Sequence, residues 1–310
     1  MKHFILIDPL EKLTLKKDST LLFAKALVDG GGEVFFLFPN NFVITTLNTS
    51  LEVHIPSFKL DLSGDITSIE LERMNTSPVP GDCFHMRLEP PFDSNYLRVL
   101  WMLRFIQSKG VRVINDPAGI MNYQEKIFPM QGDDVTPTAV LRNFQQYQKF
   151  IENFPFKKYF ILKPLDLFQG FGVTKVEKGR FSEIEFRELV DSFGGLVIVQ
   201  PFLAKVKEGE VRSTFFNGIE IGSILKVPPE GSFLANIAQG AAYKKVDLDS
   251  NIRNECKKVS AFLSEKGVPW VAFDLLEDKI SEANTTCPGL LYETSNAYEQ
   301  DLASKIVDLI

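Results

Sequence analysis

Two carboxylates and an amide lie close together near the end of the chain. Asp274 lies in the apolar segment WVAFDLL, and Glu282 and Asn284 lie in ISEANTT, beyond the turn Glu277-Asp278. If that turn closes a hairpin, Asp274 and Glu282 come close on neighbouring strands, and Asn284 shares the face of Glu282. Such oxygen ligands suit Mg²⁺ with phosphate oxygens completing its shell. Taken alone, the spacing fits the polar face of an edge strand better than a metal site.

Two basic residues follow predicted strands, where ligands bind in α/β sheets. Lys163 comes directly after the apolar run YFIL and before a turn that contains Gly170 and Gly172. A lysine beside turn amides could hold a phosphate, although from the turn alone an ordinary hairpin is the better interpretation. Arg87 precedes a Pro-Pro loop and could clamp a substrate carboxylate in bidentate fashion. The alternative for Arg87 is an ion pair at the rim with Glu89 or Asp93.

The first loop adds Lys17 and Asp18, which follow the first predicted strand. By topology they lie in the same crevice as Arg87, although such charge clusters are usually only solvated. His85 lies between apolar residues of a strand and is interpreted as a core or edge histidine. Cys287 has no base near it in the sequence, which argues against a nucleophilic role.

The composition limits the chemistry available to these 310 residues. Lys and Arg number 34 against 40 Asp and Glu, a net charge of −6, whereas a general nucleic-acid binder is normally basic. Three Cys and three His occur without CxxC or a zinc-knuckle spacing, which excludes a disulfide framework and fits a reducing cytosol. No apolar run approaches about 18 residues, so we expect a cytoplasmic protein without a membrane span. Catalysis would then use carboxylates, Lys, Arg and a cation.

The elements that must position these residues begin with an α/β unit. A continuous apolar strand at 4–7, a helix at 19–28 and a strand at 34–38 form a βαβ unit. Residues 40–80 are polar, with alternation in HIPSFKLDLSG that could be a hairpin. A strand at 83–88, a helix beginning at Ser94 and a strand at 111–114 complete an α/β domain over residues 1–120.

The remaining two thirds have a different organisation. We expect a small lobe with a helix at 143–153, strands at 159–162 and 173–176, a helix at 183–193 and a strand at 196–199. The last third is predicted to contain strands at 211–216 and 219–227, a helix at 252–266, strands at 270–276 and 279–283, and one closing helix at 298–309.

Five separated segments, in this order and spacing, resemble the bacterial glutathione synthetase family of the ATP-grasp superfamily. They are IDPLEKLTLKKDST, MRLEPPFDSNY, VINDPAGIMNYQEKIF, TPT with YFILKPLD, and DKISEANTTCPG. The resemblance implies an α/β protein with an N-terminal Rossmann-like (pre-ATP-grasp) domain followed by a two-lobed ATP-grasp domain. The expected boundaries are 1–122 for the substrate-binding domain, 123–200 for the small lobe and 201–310 for the C-terminal lobe with the metal site.

The resemblance also implies an ATP- and Mg²⁺-dependent ligase that joins a carboxylate to an amine through an acyl phosphate. The leading substrate pair is γ-glutamylcysteine and glycine, and the family resemblance suggests a homo-oligomer. Arg212 would stabilise the transferred phosphoryl group, and Asp274, Glu282 and Asn284 would hold two Mg²⁺ ions. The phosphates are expected to contact Lys126, Lys163 and Gly170. The adenine is expected to contact Gln200, Phe202 and Leu203, and the ribose is expected to contact Glu210. Residues expected on the substrate side are Lys17, Asp18, Arg87, Lys226 and Asn236.

The sequence departs from the family in two loops. The phosphate turn has Leu167 and Gln169 where glycine is expected, which could keep the backbone from the phosphates. The later loop KVPPEGSFLANIAQGAAYKK has Lys226, Leu234 and Ala242 where the family typically has arginine. Lysine keeps the charge without the guanidinium fork, and the other two keep neither. A ligase with another acyl donor or amine, or a non-catalytic ATP-binding regulatory protein, therefore stays an alternative.

Overall fold

The chain forms three β-sheets flanked by helices in a computed structural model that describes residues 1–46, 50–132 and 135–310. Strands β1 to β15 are, in chain order, Lys2–Ile7, Glu33–Leu37, Leu51–Leu60, Ile66–Thr76, Cys83–Arg87, Arg112–Ile114, Ala139–Leu141, Tyr159–Lys163, Thr174–Glu177, Val197–Pro201, Glu210–Phe216, Ile219–Val227, Ala242–Lys245, Trp270–Leu276 and Lys279–Asn284. Helices α1 to α8 are Ser19–Asp29, Ser94–Gln107, Pro117–Asn122, Phe144–Glu152, Glu183–Ser192, Ser250–Glu265, Leu291–Tyr298 and Leu302–Val307.

The first sheet has six strands in the order β4-β3-β2-β1-β5-β6. Its neighbours β2, β1, β5 and β6 are parallel, whereas β3 and β4 form an antiparallel hairpin at the edge. Residues 4–7 of β1 are all buried because apolar side chains cover both faces of the sheet. The carboxyl ends of β1 and β5 therefore meet at one edge, where the loops that begin at Asp8 and Leu88 lie.

The second and third sheets are antiparallel, with strand orders β7-β10-β8-β9 and β13-β12-β11-β14-β15. Capping boxes begin α4 at Asn143 and α5 at Ser182, and both helices pack on the second sheet through Tyr147 and Phe186. In the third sheet β11 lies between β12 and β14, so residues of three neighbouring strands can share one face.

The first and third sheets share an apolar core. Trp270 and Phe216 of the third sheet pack in the same cluster as Phe23 of α1, and Phe23 meets the Trp270 ring edge to face at 5.2 Å. Helix α8 adds Leu302 and Ile306 to this cluster. The two sheets are consequently held together by buried aromatic and aliphatic surface, which fixes the loops between them.

The predicted elements agree with the structure except at four places. The hairpin in residues 40–80 is confirmed, but its strands are longer than expected and reach Leu51–Leu60 and Ile66–Thr76. The single closing helix at 298–309 was wrong: α7 ends at Tyr298, Glu299 has φ 52°, and Asp301 caps α8 by accepting bonds from two amides. The short strands β7 and β13 and the six-residue helix α3 were not predicted, because so few residues carry too little periodicity.

Among the residues that the structure describes, no helix is both long enough and apolar enough to cross a bilayer.

A buried amide that joins the first and third sheets gives a stability prediction. Asn115 donates to the carbonyl oxygens of Trp270 and Thr285, both at 2.7 Å, and accepts from the Trp270 amide at 3.1 Å. Asn115→Ala would leave these buried groups unpaired, so we expect it to lower the free energy of unfolding in urea by about 2–4 kcal/mol. Asn95→Ala, at an exposed position of α2, is the control. A loss no larger than that of the control would contradict the assignment.

Candidate active site

A cavity of about 760 Å³ lies between the three sheets. Its walls are the loop that follows β1, the carboxyl end of β5, the turn between β8 and β9, the end of β10, the polar face of the third sheet and the loop between β12 and β13. Most of the sequence-predicted site residues line it: Lys17, Asp18, Lys126, Lys163, Gly170, Gln200, Phe202, Leu203, Glu210, Arg212, Lys226, Asn236, Asp274, Glu282 and Asn284. The fold thus brings together residues from six regions of the sequence.

Asp274 is the centre of the polar face. It lies opposite Arg212 in the β11–β14 pairing and opposite Glu282 in the β14–β15 pairing. Arg212 donates from Nε to Oδ1 at 2.9 Å and from Nη2 to Oδ2 at 2.8 Å, a bidentate ion pair. Lys226 Nζ lies 2.8 Å from Oδ1, and Asn284 Nδ2 lies 3.1 Å from Oδ2. Burial opposes ionisation of Asp274, but Arg212 and Lys226 outweigh it and hold its pKa well below the usual range.

Asp274 therefore accepts four hydrogen bonds, two at each oxygen. A carboxylate offers about four lone-pair positions, so all of them are occupied in this arrangement. A metal ion can bind Asp274 only if at least one of these bonds is given up. Lys226 and Asn284 each make one hydrogen bond to Asp274, whereas Arg212 makes two. Replacing Lys226 or Asn284 by a metal ion therefore breaks fewer bonds than replacing Arg212.

Lys226 links Asp274 to a second carboxylate. It lies opposite Glu210 in the β11–β12 pairing, and its Nζ is 2.8 Å from Glu210 Oε2. Only 2% of Lys226 is exposed. Burial disfavours the charged lysine, but Asp274 and Glu210 outweigh it and raise the pKa of Lys226. Burial also raises the pKa of Glu210, although Lys226 opposes that shift.

Lys126 connects the third sheet with the turn after β8. Its Nζ lies 3.8 Å from Glu282 and donates to the carbonyl oxygens of Leu165, at 3.1 Å, and Leu167. Burial lowers the pKa of Lys126, opposed by the charge of Glu282. Lys163 lines the same side of the cavity at the end of β8. Two cationic side chains therefore lie beside the turn that the sequence predicts to bind phosphate.

The turn after β8 has glutamine at position 169, where the family resemblance leads us to expect glycine. The φ of Gln169 is 52°, in the left-handed region that glycine adopts without strain, and Gly170 and Gly172 follow with φ of 78° and 74°. The structure thus has the backbone of a glycine-rich turn at a position occupied by glutamine. A non-glycine residue in this conformation costs about 1–2 kcal/mol. Gln169 carries this strain beside the cavity.

The end of the cavity that the sequence predicts for adenine is aromatic. Phe202 and Leu203 line it after β10, and Gln200 donates to the Thr138 hydroxyl at 2.8 Å. Lys175 Nζ lies 3.8 Å from the centre of the Phe202 ring. An apolar wall with a cation behind an aromatic ring suits a flat heteroaromatic group.

The loop between β12 and β13 lies directly on the phosphate turn. A Cβ added to Gly170 would come within 2.6 Å of Asn236 Oδ1, so a larger residue there would have to displace the Asn236 side chain. Gln239 Nε2 also donates to the Gln169 carbonyl at 3.2 Å. Of the two apolar replacements in this loop, Leu234 lines the cavity, whereas Ala242 is exposed at the start of β13.

The substrate-side predictions have different locations. Lys17 and Asp18 line the cavity, and Asp18 also caps α1 by accepting from the amides of Thr20 and Leu21 at 2.9 Å. Arg87 instead lies behind the wall, 3% exposed and stacked 4.2 Å from the centre of the Trp270 ring. It donates to Thr20 Oγ1 and to the Pro288 carbonyl, and among the described residues none accepts from its buried Nη1. A direct substrate clamp by Arg87 would need that Nη1 to be uncovered.

Sequence reasoning missed two glutamates in the wall, Glu89 and Glu125, and argued against a nucleophilic role for a third group, Cys287. Glu89 lies two residues after Arg87, and burial raises its pKa to about 7 despite a hydrogen bond with Cys287. Glu125, next to Lys126, accepts from the amides of residues 285 and 286 at 2.8 and 2.9 Å. Cys287 lines the cavity, but burial raises the pKa of its thiol well above the usual value, which keeps it protonated. Both glutamates are close in sequence to a predicted site residue, Arg87 or Lys126, and this closeness is the signal that could have identified them.

The donor set of the third sheet fits Mg²⁺. Asp274, Glu282 and Asn284 supply carboxylate and amide oxygens to one wall, and such hard oxygen donors are the usual ligands of this ion. The two basic side chains on Asp274 would then be neighbours of the ion. The described cavity therefore combines oxygen ligands, fixed cations and an apolar end.

Two sequence models of one family match this chain almost end to end. The N-terminal domain of prokaryotic glutathione synthetase matches residues 1–121, and the ATP-grasp domain of the same family matches residues 125–299. Glutathione synthetases of Prochlorococcus marinus subsp. pastoris and Coxiella burnetii are 26% and 27% identical to it. Each alignment covers 99% of this chain, with 98% and 95% of the respective relative.

Solved structures share the fold. D-cycloserine synthetase DcsG superposes with a TM-score of 0.70 at 16% identity, covering 99% of both chains. The ATP-grasp ligase PsnB, in a complex with a precursor variant, Mg and ADP, gives 0.65 at 13% identity over 99% of this chain and 96% of that one. The predicted fold class, an N-terminal α/β domain with an ATP-grasp domain, is confirmed. With both family models matched in order over residues 1–121 and 125–299, the chain belongs to the prokaryotic glutathione synthetase family.

Proposed function

We propose that this chain joins γ-glutamylcysteine to glycine, with ATP cleaved to ADP and phosphate. As a member of its family it is an ADP-forming ATP-grasp ligase that makes a C–N bond. The observation that carries the proposal is the convergence of Arg212, Lys226, Lys126 and Lys163 with three oxygen ligands in one cavity. We further propose domain boundaries at 122/123 and 200/201, two Mg²⁺ ions, a homo-oligomer and a cytoplasmic location.

The proposed reaction needs charge neutralisation more than acid–base chemistry. A carboxylate is a poor acyl donor because its leaving group would be oxide, and ATP converts it to an acyl phosphate. The amine then attacks the carbonyl carbon, and phosphate leaves as the amide forms. Negative charge spreads over the moving phosphoryl group, so fixed cations placed around it lower the barrier.

The chain's own residues divide this work. We assign the phosphate contacts to Lys126, Lys163 and the turn at Gly170, and the transferred phosphoryl group to Arg212. Bound Mg²⁺, held by Asp274, Glu282 and Asn284, would draw charge from phosphate oxygens. Gln200, Phe202 and Leu203 would hold the adenine and Glu210 the ribose, while Lys17, Asp18, Lys226 and Asn236 would face the substrates, with Arg87 behind them.

A second function has an observation in its favour. Leu234 contributes an apolar side chain to the cavity wall where the resemblance leads us to expect arginine. An apolar wall binds a carboxylate less well than an arginine and binds an aliphatic group better. A ligase of this family with a different acyl donor or amine is therefore the alternative to the glutathione assignment.

An ADP-release assay distinguishes these functions. We expect turnover with Mg²⁺, ATP, γ-glutamylcysteine and glycine, and slower turnover when dipeptides or bulkier amines replace either substrate. Turnover with another pair alone would reject the glutathione assignment and keep the mechanism. Measurable ATP binding without ADP release from any pair would reject the ligase activity and favour a regulatory ATP-binding protein.

The metal assignment predicts the effect of Glu282→Gln. The change removes a charged oxygen ligand and the partner of Lys126, so turnover at saturating Mg²⁺ should fall by about 100-fold or more. The thermal midpoint should stay close to that of the wild type because Glu282 is half-buried at the cavity. Glu277→Gln, at the exposed turn of the same hairpin, is the matched control. Equal activity in the two variants would refute the assignment.

Because all lone-pair positions of Asp274 are occupied, we expect substitution of Lys226 to raise the affinity for Mg²⁺, whereas substitution of Glu282 lowers it. Lys226→Gln removes a cation that competes for Asp274, so the Mg²⁺ concentration for half-maximal turnover should fall. The maximal rate should also fall, by about 10–100-fold, because a fixed positive charge is lost from the cavity. Lys178→Gln, whose ammonium bonds backbone carbonyls of the small lobe, is the control. A lower rate with unchanged Mg²⁺ dependence would contradict competition for Asp274.

A further inference from the structure

Three metal-ligating side chains meet inside the first sheet, away from the cavity. They are His3 of β1 and Cys83 and His85 of β5, and one ligand atom from each lies within 4.8 Å of the others. His3 is directly opposite Cys83 in the parallel pairing, and Ile5 is opposite His85. Because side chains alternate along a strand, all three point to the same face of the sheet. The convergence is therefore fixed by backbone register.

The cluster is buried. The exposed fractions are 5% for His3, 0% for Cys83 and 1% for His85. The rings of the two histidines stack with centroids 5.3 Å apart, and the Phe23 ring packs edge-on against His85 at 5.0 Å. Such rigid packing holds the ligand atoms in place before any ion arrives.

The hydrogen bonds leave ligand capacity inside the cluster. His3 Nδ1 and His85 Nε2 are 3.0 Å apart, and one of them must accept, so at least one ring is neutral, the form that binds metals. Among the described residues none pairs with the buried Nδ1 of His85. Within the described part of the chain, the hydrogen bond recorded for Cys83 Sγ is the weak one to the Phe84 carbonyl at 3.6 Å. A metal ion would replace these contacts with stronger bonds.

We propose that His3, Cys83 and His85 form a binding site for a single Zn²⁺ ion. Two imidazole nitrogens and one thiolate are a donor set that zinc favours, with bonds of about 2.0–2.1 Å to nitrogen and 2.3 Å to sulfur. Ligand atoms around such an ion lie about 3.3–3.8 Å apart, so the cluster needs only small side-chain movements. The Cys83 thiol releases its proton to solvent as the ion binds, so that the thiolate is the ligand.

The site is separate from the ligase cavity. His3 and Cys83 lie at the amino ends of β1 and β5, whereas the cavity lies beyond the carboxyl ends of these strands. At about 3.3 Å per residue, His3 lies roughly 13 Å from the carboxyl end of β1, and His85 lies roughly 7 Å from the carboxyl end of β5. The inference therefore does not rest on the proposed reaction. An ion here would join two neighbouring strands and stabilise the first sheet.

Cobalt(II) tests the proposal because its bonds to thiolate absorb in the near ultraviolet. The full-length protein, reduced and stripped of metal, is titrated with Co²⁺ in excess Mg²⁺, which occupies the oxygen ligands of the cavity. The same spectrum is recorded for protein produced in cells supplied with Co²⁺, so that slow entry cannot hide the site. We expect a thiolate-to-cobalt band that saturates at one equivalent, and a rise in thermal midpoint when Zn²⁺ is added.

Matched variants test which side chains bind the cobalt ion. Cys83→Ser and His85→Gln should lose the band and the Zn²⁺-dependent rise in thermal midpoint. Cys256→Ser, also 0% exposed but on α6, should keep both, and so should Cys287→Ser at the cavity. Absence of the band from both wild-type preparations would overturn the proposal. So would its retention in Cys83→Ser or its loss in Cys287→Ser.

Discussion

The bidentate ion pair between Arg212 and Asp274 is the interaction on which the site depends. Two buried charges are costly to remove from water, and they persist only when geometry and additional hydrogen bonds compensate. Here Asp274 binds Arg212, Lys226 and Asn284, and Lys226 in turn binds Glu210. Removal of any one of these four charges would leave the buried cluster with a net charge. The cluster therefore fixes the spacing of β12, β11, β14 and β15 as well as the cations that face the cavity.

Under the proposed metal assignment, the same cluster would couple Mg²⁺ binding at Asp274 to the position of the Lys226 ammonium. With all lone pairs of Asp274 occupied, an incoming ion must displace a partner, and a lysine released from Asp274 stays tethered by Glu210. The ammonium would then lie beside the phosphate oxygens that accompany the ion. Lysine suits this exchange better than arginine would, because a point charge on a flexible stem can change partners without breaking a fork of two bonds. The departure at Lys226 thus has a physical consequence beyond the loss of donors.

The sequence was sufficient for most of the longer elements and for the hairpin that brings Asp274, Glu282 and Asn284 together. Alternation and a turn between two apolar runs define that hairpin locally. Contacts set by distant segments could not be predicted in the same way. The burial of Arg87 depends on Trp270 and Pro288, and the meeting of His3 with Cys83 depends on a parallel pairing across 80 residues. The spacing of Cys and His along the chain excluded a zinc knuckle. The same spacing carries no information about residues that meet only through pairing of distant strands.

The two apolar replacements in the loop after β12 have unequal weight for specificity. Gln239 bonds this loop to the phosphate turn, Asn236 lies against Gly170 of that turn, and Leu234 forms part of the cavity wall. Ala242 does not line the cavity, and it is the first residue of the edge strand β13. Of these two residues, Leu234 is therefore the one placed to contact a bound substrate. An aliphatic side chain there excludes water from the cavity, which protects an acyl phosphate, but offers no charge to a substrate carboxylate.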